Sequence, residues 1–256
     1  MFTGLDHVAI VVNELESAIA SYSRAGFTVV RGGKHPIGTH NALIAFADGS
    51  YFELIAFLKP NTGHPWQIAL AKGSSIVDFC MSTDDLAADI ESMRRAGAKI
   101  GDPFSLTRDR PDGYHLSWLL ATPEPLFGGQ LPFLIKDDTP RDERVPRERS
   151  HANGATGIRT LTIAVNDPGM TSLSYARALR RPGAPIERPD LDAAGVTFTI
   201  GPNEVQLLAS KSENGPLADW IRDHGQSPFE VVLANAGAGA ATPDPALLQG
   251  ARIRFA

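Results

Sequence analysis

The chain has 256 residues, of which 43% are hydrophobic and 21% are charged, with a formal net charge of −5. This composition is typical of a globular protein with one large or two smaller domains, and its acidic balance argues against a nucleic-acid or anionic-membrane partner. No apolar run reaches the roughly 18 residues of a membrane span, and the N-terminus lacks the segments of a signal peptide. Because Cys80 is the single cysteine and lies in an apolar strand, we expect a cytoplasmic protein with a buried, inert thiol.

Residues 3–58 predict a strand, a helix, a glycine-rich turn and further strands. The helix is expected from about Asn13 to Ala25. The first strand, LDHVAIVV, carries His7, and the last, YFELIAF, carries Glu53. Burying these two groups is costly unless something pairs them, and imidazole and carboxylate are ordinary ligands of divalent metals. They are therefore predicted to face one hollow; the alternative is a hydrogen-bonded core histidine and a solvent-facing glutamate.

The sequence contains an internal repeat. When Leu5 is laid on Ile76, LDHVAIVVNELESAIASYSRAGFTV overlies IVDFCMSTDDLAADIESMRRAGAKI without a gap, and a later match brings His115 opposite His40. Each copy reads strand, helix, then three strands, and such repeats decide the architecture. We predict an α+β fold of tandem βαβββ modules whose curved mixed sheets enclose a cavity. The first module spans residues 1–70, and the second, over 71–150, pairs with it.

A third, partial module is expected over residues 151–256. GIRTLTIAV predicts a strand, Asp167-Pro168 starts a helix, and VTFTI and EVQLLA form a hairpin around GPN. The run PRDERVPRER before it mixes arginines with acids and prolines, which indicates a solvated linker. The Ala/Gly-rich stretch AGAGAATP is predicted to be a loop.

These motifs resemble the vicinal oxygen chelate superfamily and, within it, the glyoxalase-like group of glyoxalase, bleomycin resistance and extradiol dioxygenase type. The resemblance covers roughly residues 3–165 and rests on LDHVAIVV, RGGKH, GTHNAL, YFELIA, RDRPDGYHLSW and LPFLIKDDTP. It implies paired modules around a cavity. In metal-dependent members, a His on the first strand and a Glu on the fourth strand bind the ion, and neighbouring oxygens of the substrate chelate it.

Carried over residue by residue, His7 and Glu53 match the metal-binding positions. The corresponding residues are Asp78 and Phe133 in the second module, and Thr160 and Gln206 in the third. The resemblance therefore implies a divalent metal (Fe, Mn, Zn or Ni) held by His7, Glu53 and Asp78, with an imidazole of His40 or His115 available to complete the set. Phe133 departs from the pattern, so a metal-free protein remains the alternative.

Other polar residues of the same stretches are candidates for catalysis and substrate binding. His35 and His40 are predicted to move protons, since histidine titrates near neutrality. The residues predicted to bind the substrate are Asn41, Arg108, Arg110 and His115, the arginines through a carboxylate. The alternatives are a turn histidine bonded to backbone and arginines of solvated loops.

The family resemblance, together with these residues, implies two alternative functions. The first is a metal-dependent lyase, isomerase or dioxygenase acting on a small carbonyl-bearing or aromatic substrate, with the ion as a Lewis acid. The second is a metal-free protein that binds a small molecule on the same scaffold. Neither needs a nucleic acid or a membrane. A homodimer is also considered, because paired modules complete their sheets either within one chain or between two.

Overall fold

A computed structural model describes residues 1–73, 75–124, 131–235, 237 and 242–256. The first module contains β1 (Phe2–Val11), α1 (Leu15–Arg24), β2 (Val30–His35), β3 (Thr39–Ala45) and β4 (Tyr51–Phe57). After α2 (Pro65–Ala71), the second module contains β5 (Ile76–Thr83), α3 (Leu86–Arg95), β6 (Phe104–Asp109), β7 (His115–Ala121) and β8 (Phe133–Asp137). The predicted tandem βαβββ fold is confirmed. The first helix begins at Leu15, two residues after the expected Asn13, with Glu14 as its N-cap.

The rest of the chain begins with α4 (Arg141–Arg144) and continues through a third module. Its elements are β9 (Ala155–Ala164), α5 (Pro168–Leu179), β10 (Ala184–Arg188), β11 (Ala193–Ile200), β12 (Asn203–Ser210), α6 (Pro216–His224), β13 (Ser227–Asn235) and β14 (Ile253–Phe255). The predicted Ala/Gly-rich loop lies mostly outside the described residues. Among the helices of the described ranges, none is long and apolar enough to cross a membrane.

The first two modules close into one eight-stranded barrel in the order β1-β4-β3-β2-β6-β7-β8-β5. β1 is parallel to β4 and antiparallel to β5, so these modules pair within a single chain. Side chains alternate along each strand. On β1, Val8 and Ile10 point outward into the main hydrophobic core, whereas His7 and Ala9 point into the barrel.

The second sheet has six strands in the order β10-β11-β12-β9-β13-β14. β9 is parallel to β12 and antiparallel to β13, as β1 is to β4 and β5. Its apolar face, which includes Leu161, Val205 and Leu207, shares the main core with the outer surface of the barrel, where Val8 and Phe52 lie. The burial of this shared core holds the two sheets together.

The segment after β8 seals one end of the barrel. Val145 packs against Leu43 and Tyr51, which point inward from β3 and β4, and Arg144 is only 2% exposed. The prediction of a solvated linker is therefore wrong for Arg144 and Val145, whereas Asp142, Arg147 and Glu148 of the same run are exposed. A buried guanidinium is tolerated where acids satisfy it, and Asp6 and Asp137 supply those acids to Arg144.

Candidate active site

The interior of the barrel contains a cavity of about 290 Å³. Polar side chains line its deeper part, and apolar side chains line the rest. The polar group comprises His7, His35, Thr39, Tyr51, Glu53, Asp78, Arg108, Thr122 and Arg144. The apolar group includes Ile37, Ile55, Trp66, Phe104, Leu106, Trp118, Leu120, Phe133 and Ile135. The volume is near the lower end of small-molecule sites.

His7 and Glu53 meet in this cavity. His7 Nε2 lies 3.2 Å from Glu53 Oε2, while His7 Nδ1 donates a hydrogen bond to Asp6 Oδ1 at 2.8 Å. The His7 ring also stacks on Tyr51, with centroids 4.7 Å apart, and Phe133 packs edge-on at 5.2 Å. The imidazole is thus held on two sides, and Nε2 is directed at the carboxylate.

Asp6 is a residue of this candidate site that sequence reasoning missed. In a regular strand, neighbouring side chains point to opposite faces, so an acid adjacent to His7 is not expected to touch it. A register shift between Leu5 and His7 in the β1–β5 pairing breaks this alternation. Asp6 is fully buried, and two arginines, Arg141 and Arg144, bind it. An acid inside the apolar run LDHVAIVV was the available signal.

His35 and Asn41 approach Glu53 from the other side. His35 Nε2 lies 3.8 Å from Glu53 Oε1, and His35 Nδ1 is hydrogen bonded to the Thr39 hydroxyl at 2.9 Å. Asn41 Nδ2 donates to Glu53 Oε1 at 2.6 Å. Two imidazoles and one amide therefore surround a single carboxylate.

Burial and these neighbours set the charges of the site. Burial opposes ionisation of Glu53, but His7, His35 and the Asn41 hydrogen bond outweigh it and hold its pKa below the usual value. Burial lowers the pKa of His35 to about 4, so this imidazole is neutral at pH 7. Burial also works against ionised Asp6, yet its arginines and His7 keep its pKa well below the usual value. The side chains of Glu53 and Asp6 are thus both ionised at pH 7.

Asp78 lines the same cavity from β5 but stands apart from Glu53. One of its oxygens accepts a hydrogen bond from the Phe79 amide at 2.9 Å. Among the described residues, no hydrogen bond or ion pair joins Asp78 to His7 or Glu53. Burial raises the pKa of Asp78 to about 7, so its carboxyl group titrates near neutrality.

Three of the predicted residues lie outside the cavity. His40 follows Thr39 and precedes Asn41, both of which face inward, so strand alternation places His40 on the outer surface of β3. The His115 side chain is 62% exposed and pairs with Asp109. The arginine predicted with it, Arg110, is half-buried and binds Asp112 and Glu143. The spacing of these residues in the sequence did not show that their side chains would point away from the cavity.

The comparisons with known proteins agree with this architecture. The family model described as "Glyoxalase-like domain" matches residues 5–179. The chain therefore belongs to the glyoxalase-like domain family, within the vicinal oxygen chelate superfamily. Among curated proteins, no sequence matches this chain.

Solved structures share the fold. A hypothetical protein from Staphylococcus aureus matches with a TM-score of 0.69 and 15% identity over 98% of both chains. A mutant of 4-hydroxymandelate synthase from Streptomyces coelicolor matches with a TM-score of 0.61 and 13% identity, over 91% of this chain and 71% of that one. A xylose isomerase-like TIM barrel/4-hydroxyphenylpyruvate dioxygenase fusion protein matches with a TM-score of 0.57 and 14% identity. The match covers 93% of this chain and only 37% of the fusion protein.

Proposed function

We propose that this chain is a glyoxalase-like, metal-dependent enzyme of lyase, isomerase or dioxygenase type. Its substrate is a small carbonyl-bearing or aromatic molecule bound in the barrel cavity. The observation that carries the proposal is the meeting of His7 Nε2 and Glu53 Oε2 at 3.2 Å inside that cavity. The relatedness to dioxygenase-type folds is consistent with it.

The donors around Glu53 fit a divalent ion such as Fe, Mn, Zn or Ni. His7 is held through Nδ1 by a carboxylate, as ligating histidines commonly are. His35 is neutral and has its Nε2 on the side of Glu53. Together, His7, Glu53 and His35 offer the two imidazoles and one carboxylate of a common open metal site.

A neighbouring cluster does not fit an ion. In the described part of the chain, the only three metal-capable side chains with ligand atoms within 4.8 Å of one another are Asp6, His7 and Cys80. Two arginines already neutralise Asp6. Burial raises the pKa of the Cys80 thiol well above its usual value, so the thiolate needed for coordination is absent.

We exchange two of the predicted roles on this basis. His35 becomes a metal ligand, and Asp78 becomes the group that gives or takes a proton, because catalytic groups work best when their pKa lies near the working pH. An ion bound by the triad would polarise a substrate carbonyl as a Lewis acid. Asn41 fixes Glu53 in place, and the apolar wall excludes water.

The metal content of the purified protein tests the proposal. Elemental mass spectrometry is performed before and after incubation with Fe(II), Mn(II), Zn(II) and Ni(II). Near-stoichiometric metal is expected in the wild type and in the matched control Gln206→Ala. Gln206 occupies the position in the second sheet that is equivalent to Glu53 in the barrel. The variants His7→Ala and Glu53→Gln should lose the metal while retaining a cooperative unfolding transition. A wild-type protein that binds none of the four ions would overturn the proposal.

A second function is favoured by one observation. The Phe133 ring packs against His7, at the position where the family resemblance implies a second acid in metal-dependent members. A metal-free protein that binds a small molecule in the same cavity would keep this contact. Tight ligand binding in chelator, without turnover, is the result that would select this alternative.

A further inference from the structure

Two buried arginines, Arg108 and Arg144, line the cavity, and within the described part of the chain only Arg144 has acidic partners. Arg144 binds Asp6 through both terminal nitrogens, each at 3.0 Å, and also binds Asp137 and the Tyr51 hydroxyl. Arg108, 3% exposed, makes one hydrogen bond to the described residues, from Nη2 to the Arg144 carbonyl at 2.8 Å. Its Nε is buried without a partner, and no ion pair involves it in these ranges.

This unpaired guanidinium has a physical cost. Burial lowers the pKa of Arg108, but arginine stays protonated in proteins, so a positive charge is removed from water without a counterion. The negative charge of Glu53 favours protonated Arg108 without forming an ion pair with it. The Glu53 oxygens, however, already face His7, His35 and Asn41. Among the described residues, the Nε–H of Arg108 therefore has no acceptor, and its positive charge has no ion-pair partner.

Arg108 lies at the buried end of a row of inward-facing residues on β6, which sets the direction in which a ligand would lie. Along β6, the inward-facing residues run from Phe104, which is 45% exposed, through the half-buried Leu106 to Arg108. Across the β6–β7 ladder, Leu106 is opposite Trp118. Ile37 also lines the cavity and, like Phe104, is exposed, so these two side chains mark its mouth. The guanidinium is thus at the deep end of an apolar channel.

We propose that the ligand of this cavity is a carboxylate with an apolar body. Its carboxylate pairs with Arg108, and its body lies along Leu106 and Trp118 towards the mouth. Guanidinium and carboxylate form charge-assisted, often bidentate hydrogen bonds, and a cavity of about 290 Å³ limits the body to roughly a single ring system. The inference rests on the proposed function, because it takes this cavity to be the catalytic site.

A charge-matched ligand pair tests this inference. Binding of 3-phenylpropionate and of its neutral isostere 3-phenylpropionamide is measured by isothermal titration calorimetry, with metal-loaded and with chelator-treated protein. We expect the acid to bind at least about tenfold more tightly than the amide in the loaded protein. In the chelated protein we expect about a threefold preference, since Glu53 then repels the anion.

Variants assign the preference to one residue. Arg108→Met should abolish it in both forms of the protein, whereas Arg31→Met, which removes an exposed arginine of β2 that pairs with Glu16, should retain it. Equal binding of acid and amide by the wild type overturns the inference without any variant. So does binding of neither probe at millimolar concentration, or a preference that vanishes in chelator, because the ion would then carry it.

The same measurements separate this inference from the metal proposal. A protein that takes up no metal but prefers the acid through Arg108 refutes the metal-dependent function and supports the carboxylate site. A metal-bearing protein that binds acid and amide equally supports the metal-dependent function and refutes the carboxylate site.

Discussion

The closed barrel and the open second sheet are built from the same module but differ in what their inner faces hold. The barrel has eight strands, and the second sheet has six, whose order corresponds to β2-β3-β4-β1-β5-β8 of the barrel. Counterparts of β6 and β7 are absent from the described part of the second sheet. Only the barrel therefore encloses a space on all sides.

The strand registers match the two halves residue by residue. Ala9 pairs with Glu53 on one side and with Asp78 on the other. The corresponding Thr162 pairs with Gln206 and with Glu230. The second sheet therefore has an amide where the barrel has the candidate metal-binding carboxylate. It keeps an acid, Glu230, at the position equivalent to Asp78.

The partners of the two acids differ. Glu230 lies between two arginines, 3.2 Å from Arg188 and 3.0 Å from Arg254, so its charge is satisfied by neighbours on the same open face. Among the described residues no cation forms an ion pair with Asp78, and burial raises its pKa to about 7. Both acids are buried, so the comparison teaches that the partners around an equivalent position, and not burial alone, decide whether its carboxyl group stays ionised.

The largest expected effect comes from the acid that links the barrel to its sealing segment. Asp6→Asn leaves Arg144 and Arg141 without their shared carboxylate, and loss of one partner from a buried pair costs about 3–5 kcal/mol. Urea unfolding measures this loss. The control Asp190→Asn removes a half-exposed partner of Arg188 in the second sheet and should cost less than about 1 kcal/mol. Equal losses in the two variants would contradict the contrast.

The second effect depends on pH. The pKa of Asp78 is about 7 in the folded protein and close to the ordinary 3.8 in the unfolded chain. Between these values the unfolded chain has released a proton that the folded protein keeps, so this group makes stability fall as pH rises. The full fall, complete above about pH 7, amounts to at most roughly 4 kcal/mol.

Asp78→Asn should remove that fall. The measurement is the difference in unfolding free energy between the metal-free wild type and the variant, taken at several pH values from 4 to 8. We expect the variant to gain stability relative to the wild type as pH rises through this window. Parallel stability profiles would show that the Asp78 carboxyl group is not held protonated by burial.

The smallest effect is expected in the open sheet. Glu230→Gln removes a charge from between two arginines, of which Arg188 keeps Asp190 and Arg254 is partly exposed. The loss should be about 1.5 kcal/mol in urea unfolding, with metal content and carboxylate binding unchanged. A loss as large as that of Asp6→Asn, or a change in metal content, would show that the two halves are coupled more closely than their separate inner faces suggest.

The sequence supported most of the fold. The alignment of Leu5 with Ile76 predicted two equivalent modules, and β1 with α1 and β5 with α3 have that arrangement. Apolar periodicity is set locally, by the spacing of side chains along one element. The burial of Cys80 was predicted from the apolar residues around it in the sequence, and Cys80 is fully buried on β5.

The candidate site was only partly predictable. The pairing of His7 with Glu53 followed from two polar residues inside apolar strands, because each needs a partner. The outward direction of His40 and the exposure of His115 depend on which face each strand turns to the barrel, which the residue types alone do not specify. Arg144 was predicted to be a solvated linker residue, because no neighbouring residue in the sequence indicates that it is buried against Asp6.

The amino-acid sequence by itself determined the modules, their repeat and the two strands that carry His7 and Glu53, because these depend on local periodicity. Only the tertiary structure decided which polar residues meet, since that depends on closure of the barrel, the β1 bulge and the sealing segment after β8. It also decided that, among the described residues, Arg144 has acidic partners and Arg108 has none. The burial and the charged neighbours of an ionisable group are contributed by residues that are distant in sequence, and only folding brings these residues together.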